Sequence, residues 1–249
     1  MGAMFKGLGR GMLGVLHLVF PPRCIACGGA VASDFGLCGD CWRDTPFVTG
    51  LVCDKCGAPL PGDDDGAQTL CDDCMAHARP WGQGRAALLY SGTARRLVLA
   101  LKHGDRLDLV PPLAGWLNRA ALPIMTPDML VAPIPLHRFR LLKRRYNQSA
   151  LLSGALARLS GLQHCPDLLL RSRATPSQEG LGHDARFANL DRALSVNRKR
   201  KATLAGRNVL LVDDVMTSGA TLSAATDACF AAGVASVSVV TLARVAKDA

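Results

Sequence analysis

Aromatic side chains are scarce in this chain, with three Trp, two Tyr and seven Phe among 249 residues. Around its most basic stretch only Phe139 and Tyr146 are aromatic, so base stacking along a nucleic-acid strand has limited support there. A membrane-spanning run is also missing. GMLGVLHLVF (11–20) is interrupted by His17 and falls far short of the ~20 apolar residues that cross a bilayer. Pro21 and Pro22 follow it in place of a small-residue cleavage site, which argues against a secretory signal. The GxxxxGK[ST] phosphate loop is absent as well, which excludes a Walker-type nucleotide site.

What is present is a core-forming composition: 49% of residues are apolar and 20% charged, as in a globular protein. The net charge of +9 is unevenly spread. Residues 1–80 hold six Lys/Arg against nine Asp, whereas residues 81–249 hold 23 Lys/Arg against 11 acids. The second part therefore suits phosphate-rich ligands, nucleotides or nucleic acid, although solubility alone also accounts for a basic surface. Residues 1–20 are expected to form an apolar N-terminal helix. Met12, Leu13, Leu16, Val19 and Phe20 share one face of it, ready to dock on the body of the protein. Docking is favoured over a peripheral position at the inner face of the membrane, because Lys6 and Arg10 supply only a thin basic flank. The expected location is cytoplasmic.

Eight of the ten cysteines fall into four CxxC units, namely Cys24/Cys27, Cys38/Cys41, Cys53/Cys56 and Cys71/Cys74. Ten residues separate the first two units and fourteen the last two, spacings that let a short ribbon return a second pair to close a tetrahedron. Two structural zinc ions are the expectation. Disulfides would need an oxidising compartment, four repeats make a redox CxxC improbable, and iron–sulfur clusters draw on less regular spacing. Sequential pairing into two ribbons over residues 21–80 is expected, although interleaved pairing fits the same spacing. Four thiolates leave no open position, so the metal is structural. Cys165 and Cys229 stand alone and read as core packing.

From residue 86 strands and helices alternate, which predicts an α/β fold with a mainly parallel sheet covered on both faces. AALLY, MLVAPIP, DLLLRSR, NVLLVDD and ASVSVVTLAR read as strands, with amphipathic or Ala-rich helices between them. VLLVDDVMTSGAT (209–221) is the most informative stretch. Val209–Val212 form a buried strand, Asp213 and Asp214 sit at its carboxyl end, and residues 215–220 turn into a helix. Free amides at the helix start near Ala220/Thr221 make an anion site, with the hydroxyls of Thr217 and Ser218 nearby and Gly219 allowing close approach. The plainer alternative is a strand-to-helix turn in which Asp214 and Thr217 only cap the helix. Carboxylates beside a phosphate suit sugar hydroxyls, directly or through Mg²⁺. A ribose 5-phosphate carries both features. Residues 138–145 add five basic residues, Arg138, Arg140, Lys143, Arg144 and Arg145. RKRK (198–201) is a second cluster, read as a solvated loop or a nucleic-acid contact.

VLLVDDVMTSGAT closely resembles the phosphoribosyl-pyrophosphate (PRPP) signature of type I phosphoribosyltransferases. The whole layout resembles the ComF (competence protein F) family. It runs from an apolar segment and PP through the double zinc ribbon, LKHGD (101–105), VAPIPLHRFRLLKRRYNQS (131–149) and an RxTxxQ element at 173–178 to the PRPP signature. The resemblance implies a phosphoribosyltransferase-like domain over 86–249, in which Asp213 and Asp214 bind ribose hydroxyls and Thr217–Thr221 wrap the 5-phosphate. It makes the loop from Pro135 through Arg138 the pyrophosphate region. Arg144, Asn147 and Gln148 match an RGxNQ element whose glycine position is Arg145 here, which puts the local backbone shape in question. Arg173, Thr175, Gln178, Leu181, Arg186 and Asn189 match the element that carries a mobile active-site loop. The implied ligand is PRPP with Mg²⁺. The implied partners are single-stranded DNA and DNA-uptake machinery proteins, since the family is associated with natural transformation. No feature names an acceptor for the ribosyl group. The alternative is a non-catalytic single-stranded DNA-binding or partner-docking protein that retains the fold.

Overall fold

The computed structural model describes residues 20–173 and 193–246. The expected N-terminal helix, together with Thr175, Gln178, Leu181, Arg186 and Asn189, lies outside the described residues.

A five-stranded parallel sheet organises the molecule. Its strands are β1 (Gly84–Leu89), β2 (Leu130–Pro133), β3 (Gln163–His164), β6 (Asn208–Met216) and β7 (Ser236–Arg244), in the order β1-β7-β6-β2-β3. The neighbouring interior strands β6 and β7 are buried along most of their length because both of their faces are covered. Two expectations need correction. Leu169–Arg171 (β4) does not join this sheet. It pairs antiparallel with Leu194–Val196 (β5) in a separate ribbon, and the outer place in the main sheet goes to the two-residue β3. β6 also runs through Met216 rather than ending at Val212, because β7 continues to pair with it at Val215 and Met216.

One face of the sheet is covered by three helices: α3 (Gly92–His103), α4 (Val110–Ala121) and α6 (Gln148–Ser160). Pro111 and Pro112 at the start of α4 fit a position whose N–H groups have no helical acceptor. Asn147 caps α6 by accepting from the Ser149 N–H at 3.1 Å, and Gly161 ends that helix in the left-handed conformation. Leu97, Leu101, Leu113, Leu117, Leu152 and Leu156 fill this side of the core.

The other face is covered by α7 (Ala220–Phe230), the β4/β5 ribbon and the second cysteine cluster, so it is not helical throughout. Cys53, Cys56, Cys74 and the fully buried Trp81 pack with the undersides of β6 and β7. The ribbon and the sheet domain are thereby one packed body at this point. Trp81 Nε1 donates to the Lys55 carbonyl, Lys55 Nζ donates to the Trp81 carbonyl at 2.7 Å, and Gly84 N–H donates to Asp54. Gly57 lies against the Arg85–Ala86 backbone, where a Cβ would collide. The first cluster sits on the helical side, with Ile25 in that core.

Candidate functional site: a strand-end cleft and two tetracysteine centres

The cysteines group sequentially. The sulfurs of Cys24, Cys27, Cys38 and Cys41 lie within 4.8 Å of one another, and so do those of Cys53, Cys56, Cys71 and Cys74. The recorded approaches of 3.7 Å (Cys27 to Cys38) and 3.6 Å (Cys56 to Cys71) match the ~3.8 Å edge of a tetrahedron with ~2.3 Å Zn–S bonds. Cys38 and Cys71 each open a one-turn helix, α1 (Gly39–Arg43) and α2 (Asp72–Ala76), which returns the next cysteine to the same point. Both sets fit a closed structural zinc site. Cys165 and Cys229 are buried away from either set, as packing residues.

The second centre of interest lies at the carboxyl ends of β2 and β6. The chain leaves β2 toward β3 on one side and leaves β6 toward β7 on the other, so these neighbours form the switch point of the sheet. Between them opens a cavity of about 380 Å³ lined by Asp213, Asp214, Thr217, Thr221, Ser149, Arg140 and Arg144, among others. Asp213 accepts from Ser149 Oγ at 2.9 Å and from the Asp214 N–H at 2.9 Å. Burial, reinforced by the neighbouring Asp214 carboxylate, pushes the Asp213 carboxyl up to about 7. Asp214 is 3.2 Å from Lys102 Nζ.

Among the residues singled out from sequence, Thr217 and Thr221 line the cavity, and Gly219 takes φ +81° just before α7. Ser218 is buried, and its hydroxyl accepts from the Ala220 N–H inside the loop instead of facing the cavity. Arg138–Arg144 forms a short helix, α5, with Arg144 on the cavity side. Arg138 is exposed over the Phe139 ring, and Arg173 is exposed just beyond β4.

Asn147 and Gln148 act as braces in this structure. Asn147 Nδ2 donates to the Ile134 carbonyl and so holds the loop after β2, while Gln148 is buried with its amide directed at the Lys102 carbonyl. Tyr146 OH adds a bond to the Leu101 carbonyl at 2.7 Å. The RRYNQS and LKHGD stretches thus hold one another, and Lys102 reaches the acidic pair as a result. The LKHGD stretch gives no sequence signal that its lysine serves the acidic pair. Ser149, Tyr90 and Arg171, which also line the cleft, gave no signal of their own.

Arg145 settles the question of the missing glycine. Its φ is +66°, so the backbone keeps the left-handed shape a glycine would adopt, at a steric cost. Arg145 lines a second, contiguous cavity of about 460 Å³ with Lys102, His103, Asp105, Arg140 and Arg144. Asp105 too has a positive φ, +50°.

A parallel sheet with an acidic pair and a phosphate-type loop at its switch point, joined to two tetracysteine centres, defines a phosphoribosyltransferase-fold protein with structural zinc ribbons. The sequence matches the double zinc ribbon domain over residues 15–83 and the phosphoribosyl transferase domain over residues 169–249. It is 30% identical over 235 residues to the DNA utilization protein YhgH of Salmonella typhi, covering 91% of this chain and 99% of that protein. It is 30% identical over 207 residues to competence protein F of Haemophilus influenzae, covering 81% and 87%. To competence protein ComFC of Bacillus subtilis it is 25% identical over 222 residues, covering 85% of each. The chain belongs to the ComF family. Among the described residues no helix is long and apolar enough to cross a membrane.

Proposed function

We propose that the chain binds PRPP as its Mg²⁺ complex in the cleft between β2 and β6 and acts in the uptake or use of DNA. The observation that carries this reading is the one cavity that joins Asp213 and Asp214 to the Thr217–Thr221 turn and to a cationic wall of Lys102, Arg140 and Arg144. The turn and the start of α7 would receive the 5-phosphate. The carboxylates would hold the ribose hydroxyls, and the magnesium ion that arrives with PRPP would neutralise charge on the pyrophosphate. The names of the relatives, competence protein and DNA utilization protein, support the DNA-linked role.

If transfer occurs, an acceptor nitrogen lone pair bonds to the anomeric carbon while that carbon's bond to oxygen breaks, and pyrophosphate leaves with the electron pair. Positive charge grows on the ribose and negative charge on the leaving group. The arginines and lysine of the cavity wall would stabilise the latter, so the protein's part is positioning and electrostatics. A PRPP-dependent pyrophosphate-release screen over nucleobases and DNA tests transfer. Release above background that disappears in the Asp213→Asn/Asp214→Asn chain supports it, and background release with every acceptor speaks against it.

A second reading has its own observation. The 460 Å³ cavity next to the cleft carries Arg140, Arg144, Arg145, Lys102 and His103 against one carboxylate, Asp105, and suits a phosphodiester backbone. Single-stranded DNA binding that falls steeply with salt supports this reading; undetectable binding at low salt removes it.

A further inference from the structure

Two buried arginines tie the phosphate-type loop to the second zinc ribbon. Arg79, in the connector that follows the ribbon, is buried and donates from Nη1 to the Ser218 carbonyl at 2.6 Å. Its Nη2 donates to Asp73 Oδ2 at 2.5 Å. Arg244, the last residue of β7, is equally buried and donates from Nη1 to the Thr217 carbonyl at 2.5 Å, with its Nη2 3.5 Å from the same Asp73 oxygen. Asp73 lies on α2 between the ligand pair Cys71 and Cys74. Two guanidiniums from distant parts of the chain therefore converge on one ribbon carboxylate, and each grips a consecutive carbonyl of the loop.

The geometry has a consequence for the amides. In a trans peptide the carbonyl of one residue and the N–H of the next point in opposite directions. Holding the Thr217 and Ser218 carbonyls on the ribbon side turns the N–H groups of Ser218 and Gly219 away from the ribbon. Gly219 lets the loop lie close on this brace, since a Cβ there would stand 3.1 Å from both Arg79 Nη1 and the Trp81 ring. Charge points the same way. Two buried cations face one carboxylate, which leaves positive charge to be balanced. Arg79 is near enough to Cys74, and Arg244 to Cys56, for charge on guanidinium and thiolate to interact. Cys53, Cys56, Cys71 and Cys74, as four thiolates around a zinc ion, would carry a formal charge of −2 and would supply the missing balance.

We propose that Arg79 and Arg244 are positioning residues that couple the second zinc centre, and not the first, to the phosphate loop. Metal in the Cys53/Cys56/Cys71/Cys74 site fixes Asp73 and the two arginines, and these fix the amides offered to the ligand. The first ribbon packs on the helical side, where Arg106 donates to the Ile25 carbonyl. The proposal rests on the reading of this loop as a phosphate site. By linkage, the ligand must in turn affect the second centre.

The test uses the full zinc-loaded chain. Arg79→Met is expected to keep both zinc ions and to bind Mg²⁺·PRPP about tenfold or more weakly, the effect of losing a charged hydrogen bond. Its amides at 217–219 are expected to exchange hydrogen faster, and Arg79→Lys should recover part of both effects. In wild-type chain loaded with ¹¹³Cd, with the first-site signal assigned through Cys27→Ser, PRPP should move the second-site resonance and leave the first unmoved. A zinc-loaded Arg79→Met chain with wild-type affinity and exchange would overturn the proposal. Should that chain not fold, a second-site resonance indifferent to saturating PRPP overturns it instead. If the wild type binds no PRPP, the phosphate-site reading fails by itself. Amide exchange at 217–219 then decides the brace, and unchanged protection in Arg79→Met overturns it.

Discussion

Lys102 Nζ lies 3.2 Å from Asp214 Oδ2, so the cleft holds an internal ion pair between the end of a helix and a central strand. Both side chains are largely buried, which makes the pair stronger than a surface one and its disruption more costly. The lysine also faces the cationic cavity. Its charge therefore serves the acidic pair and, on the proposed reading, would also face the pyrophosphate of a bound ligand.

Replacing Lys102 with Met is expected to lower Mg²⁺·PRPP affinity about tenfold or more and to lower stability by about 1 kcal/mol. Calorimetry and urea unfolding read the two effects separately. Lys102→Arg should retain most of the binding.

Asp213 gives a pH signature. Its folded value, about 7, lies above the ordinary 3.8, so between these values the folded state holds a proton that the unfolded state releases. The stability contribution is fully present below about pH 4 and is lost as pH rises through 7. Asp213→Asn, which keeps an acceptor for Ser149 and the Asp214 N–H, should match wild type near pH 4. It should exceed wild type by about 1–3 kcal/mol at pH 8 while losing PRPP binding. Thermal unfolding across that range measures the difference.

Arg145→Gly should stabilise the fold by about 1 kcal/mol, because the backbone already has the left-handed shape a glycine tolerates. The same change removes one cation from the 460 Å³ cavity. If DNA lies there, its affinity should fall and the log–log salt slope should become shallower by about one unit. Fluorescence titration at several salt concentrations checks this.

The two tetracysteine centres and the carboxyl end of β6 were legible in the sequence because their signals are local. CxxC units bring two sulfurs together within one knuckle, and an apolar run ending in DD and TSGAT is a strand-turn-helix by itself. Contacts made by residues far apart in the chain were not legible. Arg79 and Arg244 meet only because β7 passes behind the loop, and nothing in RPW or LAR marks either as a brace. β3 has two polar residues and no strand pattern, so register with β2 alone makes it part of the sheet. The second ribbon read as a separate unit because zinc ribbons need little core. Trp81 in the connector is the one residue whose sequence position suggested packing at that junction, whereas the close approach of Gly57 to the Arg85–Ala86 backbone depends on packing rather than on spacing.

The central claim is that the β6 end holds a ribose phosphate, and calorimetric titration of PRPP into the zinc-loaded chain at pH 8 tests it most directly. The account predicts saturable binding at one site per chain that requires Mg²⁺ and vanishes in the Asp213→Asn/Asp214→Asn chain. Absence of binding by the wild type, or an unchanged affinity in the double variant, would contradict it.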